Sequence, residues 1–202
     1  MFVTTFARLV TAGYQLEVER RTSCLFQGRK TLCIKKVMYM RKKKIYLDTS
    51  VISYLLQDDA IEKMQETLAL WELLRIGKYD VYISDVVVDE LLNCPEPKRT
   101  DLFSLLSEIA YTNIVIEDNK DIEILEAQIK KLAILPINSN NDRMHIAAAI
   151  HKECNIIVSW NFKHMVNVKT IDGVRFVCVS NNINPIDIYS PTVLLERGAY
   201  DD

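Results

Sequence analysis

The five cysteines of this 202-residue chain lack the spacing of a zinc-binding or redox site. None of them forms a C-x-x-C pair, and no histidine follows one at zinc-finger spacing. An odd number of scattered cysteines also argues against a disulfide framework of the kind that small secreted domains need. The cysteines therefore indicate a reducing, cytoplasmic environment, in which they serve as small buried hydrophobic side chains.

Long apolar segments are absent too. No run of the sequence approaches the roughly 20 residues that cross a bilayer. The first 21 residues are interrupted by Arg8, Tyr14 and Glu17 and contain no clear small-residue cleavage site, which argues against a secretory signal. We therefore expect no membrane-spanning segment.

Charge is divided unevenly along the chain. Residues 1–44 contain 11 lysines and arginines against 2 acidic residues, whereas residues 45–202 contain 14 against 25. A basic arm ahead of an acidic domain can contact nucleic acid or a membrane surface. The alternatives are a disordered segment or an over-long reading frame, because Met38 and Met40 stand just before the first clear strand. We expect a basic extension over residues 1–40 and one domain over residues 41–202.

From residue 44 onward, short apolar runs alternate with amphipathic helical patterns. The runs that predict strands are residues 44–47, 80–84, 113–117, 155–160 and 174–180. This alternation predicts an α/β fold with three layers, α/β/α, and a mainly parallel central sheet of about five strands. In such a fold the functional cleft lies beyond the carboxyl ends of the strands.

Four oxygen-bearing side chains fall at positions that meet at that edge: Asp48, Glu90, Asp142 and Asn161. Asp48 ends the first strand, and Asn161 follows the fourth. Each residue taken alone has a simpler explanation, such as a helix cap, a turn residue or a solvated charge. Their recurrence at corresponding positions favours a site for a hard divalent cation such as Mg²⁺, which prefers oxygen ligands.

Several segments together resemble a PIN-domain nuclease, and specifically the branch that includes VapC-like toxins of type II toxin–antitoxin modules. They are "IYLDTSVISYLL", "ISDVVVDELLN", "NDRMHIAAAIHKECNIIVSWNFKHMVN" and "PIDIYSPTVLL", and the resemblance covers about residues 44–195. It implies an endoribonuclease that depends on Mg²⁺ or Mn²⁺, hydrolyses single-stranded regions of RNA and leaves a 5′-phosphate and a 3′-hydroxyl. It also implies a small antitoxin protein as partner, allows a homodimer, and gives no reason to expect a membrane partner.

The resemblance assigns the acidic cluster to Asp48, Glu90 and Asp142, with Asn161 at the fourth position. Many family members carry Asp at that fourth position, so the neutral amide leaves open whether one or two metal ions bind. Asp48 and Asp142 are the expected direct ligands, and Glu90 is expected to act through water. Ser50 is placed to support Asp48 with a hydrogen bond.

Residues beside the cluster have two interpretations each. Arg143 and Lys163 are candidates for contacts to RNA phosphates, and the alternative for both is solvated surface charge. Trp160 and Phe162 flank Asn161 and are expected to pack in the core, with base stacking as the alternative. His145 and His164 lack zinc-site spacing, so we expect structural or substrate-contact roles for them.

The sequence alone leaves two competing functions open. One is a haloacid-dehalogenase-like phosphatase with Asp48 as nucleophile, but those enzymes normally carry a second Asp two residues on, where this sequence has Ser50. The other is a non-catalytic PIN-like module that binds a protein partner through its apolar helices.

Overall fold

The computed structural model describes residues 42–198, so the predicted extension, residues 1–40, lies outside the described residues. The strands are β1 (Lys44–Leu47), β2 (Asp80–Ser84), β3 (Tyr111–Ile114), β4 (Ile156–Val158) and β5 (Asp187–Tyr189). The helices are α1 (Thr49–Ser53), α2 (Ile61–Arg75), α3 (Asp85–Leu92), α4 (Lys98–Leu106), α5 (Lys120–Lys131), α6 (Asn140–His151), α7 (Val168–Ser180) and α8 (Pro191–Gly198). A short 3-10 helix, Tyr54–Leu56, follows α1.

The five strands form one sheet in the order β3-β2-β1-β4-β5, and every neighbouring pair is parallel. Helices cover both faces of this sheet. Parallel strands need crossover connections, and the helices between consecutive strands supply them. The predicted three-layer α/β/α fold with five strands is therefore confirmed.

The strand order places a topological switch point at the centre of the sheet. The chain leaves β1 toward β2 on one side and later returns to β4 on the other side of β1. In open α/β sheets, such a reversal opens a crevice beyond the carboxyl ends of the two central strands. Asp48 follows β1 and Asn161 lies three residues after β4, so both belong to this crevice.

The core explains why these segments form their elements. The strand residues Ile45–Leu47 and Ile156–Val158 are buried throughout, as expected for central strands that are covered on both faces. Helix α6 brings a run of three buried alanines, Ala147–Ala149, whose small side chains allow close approach to neighbouring elements. Among residues 42–198, none of the helices combines the length and hydrophobicity that a bilayer crossing requires.

One predicted strand is wrong. Residues 174–180, "VRFVCVS", form the second half of α7. The Asn167 side chain caps this helix by accepting a hydrogen bond from the Thr170 N–H. Val174, Val177 and Cys178 are buried at helical spacing, while Phe176 and Val179 between and after them are exposed. Packing of one helical face thus overrides the β-propensity of the valines.

The fifth strand comes instead from the C-terminal tail, at Asp187–Tyr189, where the pattern predicted no element. The third strand also begins two residues earlier than predicted, at Tyr111. The residues between Asn161 and Asn167 form turns, which carry the chain from β4 to α7 past the crevice.

Candidate active site

Asp48 lies at the carboxyl end of β1 and is only 5% exposed. It occupies the N-cap position of α1, yet its side chain makes no capping hydrogen bond. Its Oδ2 atom instead accepts hydrogen bonds from Ser50 Oγ at 2.6 Å and from Ser159 Oγ at 2.5 Å. The hydrogen bond predicted from Ser50 is therefore present, and the simple capping role is not the one that this carboxylate fills.

Glu90 projects from α3 toward the same point. Its Oε2 atom accepts a hydrogen bond from Thr49 Oγ1, and its Oε1 atom accepts one from Asn141 Nδ2 at 2.6 Å. His145 Nε2 lies 3.2 Å from Oε2. Burial raises the pKa of Glu90, but the hydrogen bond and charge of His145, together with the two other hydrogen bonds, lower it to about 2. Glu90 is therefore a carboxylate at neutral pH.

His145 stands behind both carboxylates and is buried. Its Nε2 atom is 3.6 Å from Asp48 Oδ1, and its Nδ1 atom is 2.7 Å from the Tyr46 hydroxyl, which in turn lies 2.6 Å from Ser84 Oγ. Burial lowers the pKa of His145, but the hydrogen bond with Glu90 and the nearby carboxylates raise it overall. This burial supports the predicted structural role and is inconsistent with a substrate contact.

Three of these side chains form a donor set that fits a divalent cation. One ligand atom from each of Asp48, Glu90 and His145 lies within 4.8 Å of the other two. Two carboxylates that converge in a half-buried cleft repel each other unless a cation or proton offsets their charge. The two carboxylates supply the oxygen ligands that Mg²⁺ and Mn²⁺ prefer, whereas an imidazole nitrogen better suits zinc, copper, iron or nickel.

Asp142 and Asn161 form a second group in the same crevice. Asp142 Oδ1 accepts a hydrogen bond from Asn161 Nδ2 at 3.0 Å, and Asp142 Oδ2 lies 2.7 Å from His164 Nδ1. The Asn161 Oδ1 atom accepts a hydrogen bond from the His164 backbone N–H at 3.0 Å. The predicted fourth position thus holds the Asp142 carboxylate in place through its amide group.

Two residues that the sequence motifs did not single out, Ser159 and Asn141, join these groups. Ser159 Oγ donates to Asp48 and accepts a hydrogen bond of 2.9 Å from the Asn161 backbone N–H. Asn141, next to Asp142 in the chain, donates to Glu90. The structure thus brings Asp48 and Glu90 together and holds Asp142 against Asn161, but Asp142 is not part of the three-residue cluster, so its role as a direct ligand stays a prediction. A role for Ser159 could have been predicted from its place directly after a buried strand. No feature of the sequence pointed to Asn141.

The two residues predicted to contact RNA phosphates differ in their exposure to solvent. Lys163 is exposed beside the crevice, and its contact to RNA stays a prediction. Arg143 is only 1% exposed, and its guanidinium donates to Glu126 at 2.5 Å, to Asn140 and to the Pro136 and Ile137 carbonyls. Its donors are thus used to fix the loop before α6. This arrangement is inconsistent with a phosphate contact by Arg143.

The two aromatic residues that flank Asn161 also differ in their exposure to solvent. Trp160 is buried, and its Nε1 atom donates to Thr67 Oγ1 at 2.8 Å, which agrees with the expected core packing. Phe162 is 48% exposed, so the core-packing prediction does not hold for it. The backbone N–H of Trp160 donates to Ser50 Oγ at 2.9 Å, which ties this aromatic segment to the Asp48 group.

The sequence model of the PIN domain matches residues 45–163, which is more than half of the chain. The chain belongs to the PIN domain family. The match begins in β1 and ends just after Phe162, so it includes both side-chain pairs of the crevice. The resemblance noted from the sequence motifs is thereby confirmed at the level of this family.

A solved structure with a similar fold is the crystal structure of VapBC2 from Rickettsia felis bound to a DNA fragment from their promoter. The identity is 17%, the TM-score is 0.47, and the similarity covers 73% of this PIN-domain chain and 98% of that chain. No curated protein is similar enough to count as a match.

Proposed function

We propose that this PIN-domain protein is a metal-dependent endoribonuclease that hydrolyses phosphodiester bonds in single-stranded regions of RNA. The observation that carries the proposal is the convergence of Asp48, Glu90 and His145 donor atoms within 4.8 Å at the carboxyl edge of the sheet. Membership of the PIN family and the adjoining Asp142–Asn161 pair support the same interpretation.

The protein's own residues divide into metal-binding and positioning groups in this proposal. Asp48 and Glu90 would hold Mg²⁺ or Mn²⁺, with Asp142, which the Asn161 amide holds in place, completing the site on the side of β4. When bound, such a cation would supply charge neutralisation for the scissile phosphate and a lowered pKa for an attacking water molecule. Ser50 and Ser159 orient the Asp48 carboxylate by donating hydrogen bonds to its Oδ2 atom.

His145 is a positioning residue for Glu90. Its imidazole lies between the Glu90 carboxylate and the Tyr46 hydroxyl, so its ring orientation is fixed from both sides. Groups of this kind hold metal ligands in one conformation and commonly change metal affinity or activity by about 10–100-fold when they are removed.

We further propose that the protein is the toxin of a toxin–antitoxin pair, with a small antitoxin protein as its partner. This part rests on the VapC-like sequence segments, above all "SWNFKHMVN" after a buried strand and "D-x-x-H-I-A" upstream of it. A small open reading frame adjacent in the genome would identify the candidate partner, and co-purification would test it. A homodimer and the basic extension of residues 1–40 stay predictions that native mass measurement would test.

The test is incubation of the purified protein with labelled single-stranded RNA in Mg²⁺, in Mn²⁺ and in EDTA. We expect cleavage that requires the metal and leaves products with a 5′-phosphate and a 3′-hydroxyl. Cleavage that persists in EDTA would indicate a contaminating nuclease. An absence of cleavage under all three conditions would favour the alternative, a PIN-domain module that binds a protein partner without catalysis.

A further inference from the structure

Beside the crevice lies an aromatic cluster, Tyr54, Trp160 and Phe162, that encloses the ammonium group of one lysine. Lys63 Nζ lies 5.2 Å from the Tyr54 ring centroid and 5.4 Å from the centroids of both Trp160 and Phe162. The ring centroids of Tyr54 and Trp160 are 5.7 Å apart, and those of Trp160 and Phe162 are 6.1 Å apart. The site geometry described above uses none of these ring faces.

The cluster has a fixed base and an open side. Trp160 is buried and held by Thr67 and Ser50, so it forms the rigid base. Phe162 is 48% exposed and forms the open side of the cluster, while Tyr54 is partly buried against the core. An exposed aromatic residue alone is ordinary, but three rings arranged around one cation form a defined surface.

Lys63 gives this surface its charge. Within residues 42–198, its ammonium contacts the three rings and has no carboxylate at ion-pair distance. The carboxylates of the neighbouring crevice repel phosphate, so a nucleic-acid strand needs a cation close by. An ammonium on a flexible stem can leave the ring faces and pair with a phosphate while bases occupy the rings.

We propose that the aromatic cluster and Lys63 form a subsite that binds one or two nucleotides of single-stranded RNA beside the cleavage site. The bases stack on Phe162 and Tyr54, and Lys63 pairs with a backbone phosphate. Stacking on aromatic side chains with a cation along the backbone is the usual chemistry of sequence-tolerant binding to single strands. This inference rests on the proposed function, because it assigns a substrate subsite to the same cleft.

The position of the subsite follows from the chain itself. Phe162 directly follows Asn161, whose amide holds Asp142. The Trp160 backbone donates to Ser50, which donates to Asp48. Phe162 is thus next to a residue that holds one proposed metal ligand, Asp142. An RNA strand that stacks on Phe162 would therefore pass beside the proposed metal ligands. Bases in a duplex are already stacked on one another, so the subsite selects single strands.

The test measures binding separately from cleavage, by fluorescence anisotropy in EDTA. The probe is a labelled single-stranded RNA of about 12 nucleotides. We expect Phe162→Ala to weaken binding about tenfold, because a stacked base loses its ring. Phe176→Ala, which removes a similarly exposed ring from α7, is the matched control and should bind like the wild type. Phe162→Tyr, which keeps the ring, should also retain wild-type affinity.

Lys63→Gln tests the phosphate contact. It should reduce the slope of log affinity against log salt concentration by about 0.7, as expected for one lost contact to a single strand. Lys131→Gln, an exposed lysine at the end of α5, is the matched charge control. An abasic oligonucleotide of the same length should bind weakly to the wild type and be insensitive to Phe162→Ala.

The outcomes separate the subsite from the proposed catalysis. If Phe162→Ala binds RNA like Phe176→Ala, or only lowers the melting temperature, the cluster is a packing feature and the subsite is refuted. Failure of the wild type to bind single-stranded RNA would refute it too. If Phe162→Ala weakens binding but the wild type cleaves no RNA with any metal, the subsite stands and the nuclease proposal fails.

Discussion

Ser159 donates a hydrogen bond of 2.5 Å to Asp48, although 111 positions separate these residues in the chain. The contact joins the carboxyl ends of β1 and β4, which are neighbours at the centre of the sheet. Because Ser159 also accepts the Asn161 backbone N–H, one buried hydroxyl links the two halves of the proposed metal site. The topology of the sheet thus creates the site.

We expect Ser159→Ala to lower the RNA cleavage rate about 10–100-fold, because the Asp48 carboxylate loses a group that orients it. The Asn161 N–H loses its acceptor as well, so the free energy of unfolding should fall by about 1–3 kcal/mol. Initial cleavage rates and urea unfolding measure the two effects. Unchanged cleavage in a correctly folded variant would show that this hydrogen bond does not position a functional group.

Divalent metal should stabilise the wild-type protein against heat. A ligand at about 100 times its dissociation constant adds about 2.7 kcal/mol to stability, which corresponds to about 5–10 °C in the melting temperature of a domain this size. We expect this increase with Mn²⁺ or Mg²⁺, its loss after EDTA treatment, and no increase in Asp48→Asn. An equal shift in wild type and variant would place the metal elsewhere.

Arg143 should contribute to stability and not to RNA binding. Its guanidinium is buried against Glu126 and the carbonyls of the loop before α6. Removal of one partner from a buried ion pair is strongly destabilising, so Arg143→Ala should reduce the free energy of unfolding by about 3 kcal/mol. Lys163→Ala, at an exposed position, is the comparison and should leave stability unchanged. A stable Arg143→Ala protein with weak RNA binding would restore the phosphate-contact hypothesis.

The Asp187 carboxyl group should contribute to the loss of folding stability at low pH. Burial raises its pKa, but hydrogen bonds from Tyr189 and Arg175 lower it below the usual value overall. A carboxyl group whose folded pKa is depressed stabilises the protein above its unfolded pKa of about 4, and that contribution disappears as pH falls through the folded pKa.

Asp187→Asn should therefore lose less stability than the wild type between pH 6 and pH 3. Urea unfolding at a series of pH values measures this difference, and every other acidic group is common to both proteins. Equal losses in the two proteins would show that the contacts of Asp187 do not favour its charged form.

The sequence was sufficient to predict that two of the site residues, Asp48 and Asn161, lie at the same edge of the sheet. Strand ends converge at one edge of a parallel sheet, so positions 48 and 161 could be placed together without coordinates. It was not sufficient for His145 or Arg143, because their roles depend on long-range neighbours, Tyr46 and Glu126. A one-dimensional pattern records that a side chain is polar, but not which buried partner it meets.

The misassigned strand has a different cause. Residues 174–180 are rich in valine, and local propensity favours β structure for them. The Asn167 cap and the burial of one helical face nevertheless stabilise a helix over these residues. The short β5 lies beside β4 and depends on that neighbour for its pairing, so a three-residue run carried too little periodicity to be recognised.

The most direct test of the central claim compares three carboxylate-to-amide variants in the RNA cleavage assay with Mg²⁺ or Mn²⁺. Asp48→Asn and Asp142→Asn each remove a proposed ligand, and Asp121→Asn makes the same change at an exposed position on α5. We predict that both ligand variants fold and lose more than about 100-fold in cleavage rate, since even indirect partners of a metal ion cost 10–100-fold, while Asp121→Asn cleaves like the wild type. Wild-type cleavage by either ligand variant would contradict the assignment of this crevice as the active site.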